Sequence, residues 1–238
     1  IIPVMRIYDD GMFEIEKGLF SKTYKFTDIN FAVASEDDKK SMLEKYYGIL
    51  NSFDHNAITK LTINNRRIDE DDFKQTLYIP KNNYGLDIYR DDYNKVVFDM
   101  ALRSNTTIQE KYITISIHQK TEDDAKRYFQ RIGVDLNQQF ARLGSRCEEL
   151  TLDERLKICY DFYNAGSVNK FMFNKQDLMR KGHSFKDIIC PDSYTNGDDY
   201  FKIGKRYGRV LFIKEFGSTC DTGLISDLTD LDRDIMLS

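Results

Sequence analysis

The sequence has no tryptophan, only three prolines and four cysteines. Its cysteines form no C-x-x-C pair, so their spacing fits neither a zinc site nor a dense disulfide framework. We interpret them as free thiols of a reducing compartment: Cys147, Cys159, Cys190 and Cys220. No apolar run approaches the roughly 20 residues that a membrane-spanning helix needs. These absences leave a core of aliphatic, Phe and Tyr side chains to stabilise the fold.

An excess of positive charge is also lacking. The 238 residues include 35 Lys and Arg against 39 Asp and Glu, which gives a net charge of −4. The whole surface therefore has no electrostatic footprint for nucleic acid, although a local basic strip is compatible with this balance. With 41% hydrophobic and 31% charged residues, the composition is typical of one large or two small globular domains.

Catalytic motifs are missing as well. The G-x-x-x-x-G-K-[ST] phosphate loop has one candidate, Gly204-Lys205, but Arg206 follows the lysine and Asp199 lies five residues before the glycine. Neither a dinucleotide-binding G-x-G-x-x-G nor a G-x-S-x-G nucleophile motif occurs. The histidines lack metal-binding spacing and are interpreted as surface or capping residues: His55, His118 and His183. We therefore predict that this chain is not an enzyme and holds no cofactor or metal.

The hydrophobic periodicity alternates between strands and helices. Short strands are predicted over residues 3–27, and a helix over 35–53 begins at Ser35. Its predicted apolar face is Leu43, Tyr46, Tyr47, Leu50 and Phe53. A second helix over 86–103 has the predicted face Tyr89, Tyr93, Val96, Val97, Met100 and Ala101. Further helices are predicted to begin at Thr121 and Thr151, and Gly144 is predicted to end the first of these.

The clearest strand is KYITISIHQ, residues 111–119, in which isoleucines alternate with polar residues. This alternation indicates a sheet covered on one face. We predict an α+β fold of split β-α-β, ferredoxin-like units, preceded by an N-terminal β-hairpin region. Residues 1–165 are predicted to form the main domain, and residues 166–238 a smaller subdomain of a hairpin and helices packed on it.

Five basic residues accompany aromatic residues in the predicted hairpin, whose strands are expected at 200–203 and 209–216. They are Lys202, Lys205, Arg206, Arg209 and Lys214. Basic grooves with interleaved aromatic rings bind single-stranded nucleic acid, so this basic strip is a candidate nucleic-acid site. The alternative interpretation is that the lysines and arginines protect exposed strands from edge pairing.

Three stretches occur in an order that resembles a known family. The first is YDDGMFEIEKGLFSKTYKFTDINFAVASEDDKKSMLEKYYGILNSFD, residues 8–54. KYITISIHQKTEDDAKRYFQRIGVDLNQQFARLG and LTLDERLKICYDFYN follow at 111–144 and 150–164. Together they resemble the N-terminal region of the VirB/TrbE/CagE-type ATPases of type IV secretion in conjugative elements of Gram-positive bacteria. The sequence has Phe31 where that family commonly has Tyr.

This resemblance implies a non-catalytic scaffold that docks a motor to inner-membrane components of a secretion channel. The RecA-like motor domain, with its ATP and magnesium, is then expected outside this chain, and both ends of the sequence are interpreted as cuts. The resemblance further implies self-association of the full-length protein and a cytoplasmic location at the membrane periphery. The runner-up hypothesis is an accessory nucleic-acid-binding module that uses residues 200–214.

The residues that carry the resemblance most directly are the candidate structural and interaction residues. They are Lys22, Phe26, Asp28, Ile29, Asn30 and Phe31. Two interpretations remain open for them. Either they contact a partner, or the apolar side chains belong to the core while Asp28 and Asn30 shape the turn from strand to helix.

Overall fold

The computed structural model describes residues 2–31, 33–67, 78–82, 85–103, 107–164, 171–175, 184–204, 206–212, 214–215, 219, 223–230 and 235–238. Three sequence predictions fall outside these residues: the placement of Lys205, the role of His183 and the state of Cys220. The predicted domain boundary at 165 also begins a segment outside them.

The part of the chain that the structure describes contains ten strands and six helices, mixed along the sequence. The strands are β1 (Arg6–Ile7), β2 (Phe13–Glu16), β3 (Leu19–Phe26), β4 (Ile58–Arg67), β5 (Thr107–His118), β6 (Cys147–Glu149), β7 (Tyr194–Asn196), β8 (Phe201–Ile203), β9 (Arg206–Gly208) and β10 (Ile235–Leu237). The helices are α1 (Glu36–Asn51), α2 (Asp87–Arg103), α3 (Glu122–Leu143), α4 (Leu152–Tyr163), α5 (Phe185–Ile189) and α6 (Leu224–Thr229).

The strand order confirms the predicted α+β class. In the main sheet the order is β1-β2-β3-β5-β4-β10, and β6 also pairs with β3. β2 and β6 pair antiparallel with opposite ends of β3, at Leu19–Ser21 and Tyr24–Phe26. β5 therefore lies between β3 and β4, which α1 connects, and β3 lies between β5 and β6, which α3 connects. Each of these is a split β-α-β unit.

The chain divides into two compact units. The first comprises Ile1–Lys60 and Ile113–Ser218, and the second comprises Leu61–Tyr112 and Thr219–Ser238. The second unit is thus assembled from two separate stretches of sequence. In it, β10 pairs antiparallel with residues 63–65 of β4.

The helix ends follow from local sequence, as predicted. Ser35 Oγ accepts a hydrogen bond from the Asp38 backbone N–H at 3.2 Å, and Thr121 caps α3 in the same way. Thr151 and Glu154 form a reciprocal capping box at α4. Gly144 ends α3 with φ 82°, a left-handed conformation that glycine adopts without the steric cost of a Cβ.

The main core of the first unit lies between the sheet and two helices. It combines residues from β3, β5, α1 and α3, and its largest fully buried members include Tyr24, Ile49, Ile113, Phe129 and Leu136. The three isoleucines of β5 point into this core because side chains alternate along a strand. α3 contributes most of the helical surface to the core, as its predicted stripe indicates.

A smaller core lies where α4 and α5 meet the N-terminal strands. Its buried members are Ile2, Phe13, Leu152, Leu156 and Ile189. Phe13 of β2 thus packs against α4 and α5, whereas the main core is built on α1 and α3. The polar alternate residues of β5, Thr114 and Ser116, take no part in either core. The second face is polar along β5, as predicted, but it is not open to solvent there, since Ser116 is 9% exposed and Thr23, beside Thr114, is 6% exposed.

Two predicted helix faces are buried only in part. On α1, Met42, Ile49 and Phe53 contact the main core, whereas Leu43 and Tyr47 are 44% and 58% exposed. On α2, the members of the predicted face that are more than half exposed are Tyr89, Tyr93, Val96 and Met100. A stripe in the sequence identifies an apolar face but does not show what covers it.

The late hairpin also differs from the prediction. Its second strand is Arg206–Gly208 rather than residues 209–216, and β7 pairs with β8 on the other side. The turn does contain Gly204, with φ 56°. Positive φ at this glycine allows the tight connection that the Gly-Lys pair predicted.

Candidate protein-interaction surface

Lys22 is an internal residue of β3, between two core aromatic residues. Only 4% of its surface is exposed, so partner contact through this ammonium group is not supported by its position. Its Nζ lies 3.3 Å from an Asp10 carboxylate oxygen and also contacts a Glu149 carboxylate oxygen. Two carboxylates offset the cost of burying one ammonium, because a buried charge must be paired. Lys22 thus links β3 to the turn after β1 and to β6.

Tyr24 follows Lys22 on the same face of β3. Its hydroxyl donates a hydrogen bond to the Phe129 carbonyl oxygen at 3.3 Å. Burial, and then the nearby Glu149 carboxylate, raises the pKa of this hydroxyl far above its ordinary value. A tyrosine in this setting stays protonated and serves to fix β3 on α3.

The end of β3 continues the core and then leaves it. The Phe26 ring lies 5.1 Å from that of Phe140, and Ile29 packs against the same cluster. Asp28, Asn30 and Phe31 are exposed. The interpretation of the apolar residues as core therefore holds for Phe26 and Ile29 but was wrong for Phe31.

Phe31 begins an exposed apolar row that continues on α1. Its ring is 39% exposed, and the Lys39 ammonium lies 5.9 Å from the ring centroid. Leu43 and Tyr47 follow Lys39 at steps of four residues, so these side chains share one side of the helix. We name Phe31, Leu43 and Tyr47 the α1 row. Such a row on a helix surface is a feature of sites where another molecule covers apolar area.

Sequence reasoning missed a second buried basic residue of the first unit, which is 8% exposed. Arg155 of α4 donates hydrogen bonds from Nη1 to the backbone oxygens of Gly11 and Ser21, at 2.8 and 2.9 Å. Its Nη2 donates to Ser21 Oγ at 3.1 Å, and its guanidinium carbon lies 3.9 Å from the Phe13 ring centroid. Burial lowers the pKa of Arg155 to about 10. Arg155 is a structural residue that fastens α4 to β2 and β3.

A sequence signal for Arg155 was available. Position 155 lies between Leu152 and Leu156 on the apolar stripe of α4, where an arginine is unexpected. Gly11 lies against the residues just before this helix. A Cβ added to Gly11 would be 2.4 Å from the Leu150 carbonyl oxygen. The Asp10-Gly11 turn is therefore fixed by packing as well as by its φ of 76°.

The small sheet β7-β8-β9 distributes the basic strip over both of its faces. Lys202 lies opposite Tyr207, and its Nζ is 5.2 Å from the Tyr207 ring centroid. The Tyr200 ring is 5.5 Å from that of Tyr207, so these three residues share one face. Arg206 pairs with Ile203 and therefore points to the other face. The described residues of the strip therefore do not form one continuous basic surface.

Arg209 and Lys214, the other described residues of the strip, add little charge to that face. Arg209 is held by the Asp199 carboxylate and also donates from Nε to the Asp199 backbone oxygen at 3.1 Å. Lys214 is exposed, at a distance in sequence from β9. Among the described residues, the face that carries Tyr200, Lys202 and Tyr207 is thus aromatic with one ammonium group.

Within the described residues, no group of three or more His, Cys, Asp or Glu side chains is arranged to hold a metal ion. No helix in the part of the chain that the structure describes is long and apolar enough to span a membrane.

Comparisons with known proteins add one partial similarity. No protein-family profile matches the chain. A stretch of 131 residues is 26% identical to part of the cytoplasmic arginine–tRNA ligase of Saccharomyces cerevisiae, and it covers 52% of this chain and 21% of that ligase. The chain thus spans about a fifth of the curated relative that it matches. A similarity of this extent does not show a family.

Proposed function

We propose that this chain is a non-catalytic interaction region of a conjugative type IV secretion ATPase, docking the motor to inner-membrane components of the channel. The sequence resemblance over residues 8–54, 111–144 and 150–164 supports this proposal. In it the chain acts in the cytoplasm at the membrane periphery, and the full-length protein self-associates. ATP and magnesium bind the motor domain of the parent protein and not this chain.

The structural observation that carries the proposal is the α1 row. Phe31, Leu43 and Tyr47 expose apolar surface on a helix whose opposite side, at Ile49, is anchored in the main core. Covering exposed apolar area contributes about 25 cal/mol per Å², so such a row is a source of binding free energy. Anchoring on a rigid core means that little conformational order is lost on binding.

The test of docking is a double substitution in the row. We expect Leu43→Ser with Tyr47→Ser to lower affinity for the partner about tenfold or more, because few residues dominate most interfaces. The measurement is co-purification, then titration, with the inner-membrane channel proteins of the same conjugative element. Glu44→Ser, an exposed neighbour, is the matched control. Equal binding by the double variant and the control would contradict the assignment of this surface.

A second experiment tests the parent protein. Reading the source gene beyond the codon for Ser238 should reveal an open frame that reaches a G-x-x-x-x-G-K-[ST] motif. A stop codon close to that position would contradict the motor assignment.

The second candidate function is binding of single-stranded nucleic acid by the small sheet. The observation that favours it is the shared face of Tyr200, Lys202 and Tyr207, on which 70% of Tyr207 is exposed. Stacking of one base on an aromatic ring contributes about 1–3 kcal/mol. Tyr207→Ser should therefore weaken binding to a single-stranded oligonucleotide at least about fivefold. Tyr194→Ser on the opposite face is the control, since Tyr194 is 58% exposed.

Salt separates this candidate from non-specific attraction. Nucleic-acid affinity that is weak even at low salt, or equal in the two tyrosine variants, would exclude the small sheet as a binding face.

A further inference from the structure

The second unit presents an apolar row of its own on α2. Leu86 lies directly before the helix, and the row continues at alternating steps of three and four residues. Its members and their exposed fractions are Leu86 61%, Tyr89 71%, Tyr93 53%, Val96 56% and Met100 64%. We name these five residues the α2 row. Spacing of this kind is the a and d pattern with which one helix packs along another.

The other side of α2 is attached to its own unit. Asn94, on that side, is buried; its amide accepts from the Ile79 N–H at 2.9 Å and donates to the Ile79 oxygen at 3.1 Å. Arg90, at one edge of the row, pairs with Asp87 one turn earlier at 2.8 Å. These contacts hold the helix so that the α2 row faces away from Asn94 and Ile79 and is exposed. The row is not a buried face that happens to be loosely packed.

One edge of the row carries two aspartates, and exposed Lys95 lies between them in sequence, one position further from the seam. Asp92 and Asp99 are both exposed, and each precedes an a position of the pattern by one residue. Seven residues separate them, so they lie two turns apart along the same edge. The opposite edge offers Arg90, whose charge Asp87 already neutralises, and half-buried Val97.

This charge pattern discriminates between partners. In an antiparallel pair of two copies, the edges with Asp92 and Asp99 would face each other, and like charges disfavour that arrangement. In a parallel pair, Asp92 would face Val97 of the other copy without an ionic partner. An anionic lipid surface would also be repelled by this edge.

From this geometry we propose that α2 is the docking site for an amphipathic helix of another protein, with lysines or arginines along the edge that faces Asp92 and Asp99. The bound helix covers the α2 row with its own apolar stripe, as in other helix-on-helix recognition. This site belongs to the second unit and the α1 row to the first, and the proposal stands without the secretion assignment. It assigns a partner chemistry to a surface of the second unit.

The test uses the whole chain and two synthetic peptides. Each peptide is about three heptads long with leucine at its a and d positions, and the edge positions are lysine in one and glutamate in the other. Binding is followed by fluorescence anisotropy of the labelled peptide. We expect the lysine peptide to bind at least about fivefold more tightly at low salt, and the difference to shrink as salt is added.

Three variants assign the binding to the row. Tyr89→Ser should weaken lysine-peptide binding, whereas Ile88→Ser should not. Tyr89 and Ile88 are 71% and 72% exposed, but Ile88 lies off the row. Asp92→Lys with Asp99→Lys should reverse the preference, so that the glutamate peptide binds more tightly. All changed side chains are exposed, and circular dichroism with a urea titration confirms that each variant folds.

Several outcomes would overturn the proposal. Equal affinity for the two peptides, or no binding of either, excludes a basic helix as the partner. A dimer in sedimentation equilibrium that Tyr89→Ser dissociates assigns the row to a second copy of the chain. Binding to phosphatidylglycerol vesicles that Tyr89→Ser abolishes assigns it to a membrane surface.

Discussion

Arg155 brings a charge into the interior of the first unit, where its acceptors are two backbone carbonyls and one hydroxyl. Replacing it with methionine keeps much of the volume but leaves those acceptors without their donors. We expect Arg155→Met to lower the free energy of unfolding by about 3 kcal/mol. A urea titration followed by circular dichroism measures this loss.

Arg127 provides the matched control for that substitution. Its side chain is 74% exposed and pairs with Asp124 on the surface of α3. Arg127→Met should change the stability by about 0.5 kcal/mol or less. Similar losses in the two variants would show that the contacts of Arg155 contribute no more than a surface ion pair.

The thiol of Cys147 predicts a dependence of stability on alkaline pH. Burial, and then the adjacent Glu148 carboxylate, raises its pKa from 9.0 to about 12. Between these values the unfolded chain loses this proton and the folded chain keeps it, so the free energy of unfolding falls as pH rises from 9 to 12. One such group contributes at most about 1.4 kcal/mol per pH unit.

We therefore expect a shallower decline of stability above pH 9 in Cys147→Ala than in the unsubstituted chain. Denaturant titrations at several pH values, in the presence of a reducing agent, give the two slopes. Parallel slopes would contradict the assignment, whereas a uniform offset between them would report only the lost packing of the side chain.

At the scale of elements, the buried side of α1 gives a direct test of the helix orientation. Ile49 is 1% exposed although the predicted face omitted it, and Leu43 is 44% exposed although that face included it. Ile49→Ala should cost about 3 kcal/mol of folding stability and Leu43→Ala about 0.5 kcal/mol or less. Comparable costs at the two positions would indicate that α1 is rotated about its axis relative to this structure.

Local sequence predicted the elements better than their surroundings. Helix caps such as Thr151 with Glu154 depend on neighbouring residues, so they were predicted correctly. The faces of α1 and α2 depend on which distant chain covers them, and periodicity carries no information on that choice. The short strands β7 and β9 offered too few alternating residues to fix their ends.

The same difference between local and long-range information applies to the candidate interaction residues. One of the two open interpretations placed Phe26 and Ile29 in the core, and both are half-buried against the main core. Lys22 was singled out from the resemblance, but its carboxylate partners come from the turn at Asp10 and from β6 at Glu149. Pairings across such sequence distances cannot be read from one sequence.

At the scale of the molecule, the discontinuous second unit predicts a role for its last stretch. β10 pairs with residues 63–65 of β4. The Thr62 and Ser238 side chains are also hydrogen-bonded, with their hydroxyl oxygens 2.9 Å apart. Gln109 also donates to the Thr229 carbonyl oxygen at 3.5 Å. Deleting residues 219–238 removes these contacts and leaves one edge of β4 unpaired.

We expect that deletion to speed hydrogen exchange of the amides at 63–65 by about tenfold or more, because exchange reports the free energy of local opening. The amides of β3 at Tyr24–Phe26, which pair with β6 in the first unit, provide the internal reference. Mass spectrometry of peptides from both strands makes the comparison. Unchanged exchange at 63–65 would show that β10 does not stabilise β4.

The order of the two stretches of the second unit also has a consequence for synthesis on the ribosome. Residues 61–112 emerge first, and Thr219–Ser238 emerge only after the rest of the first unit has been made. At about 5–20 residues per second, this delay is on the order of 10 s. For that time β4 has no β10 beside it, and a chaperone that binds open strand edges would find it accessible. The second unit is therefore the last part of this chain to complete its native hydrogen bonds during translation.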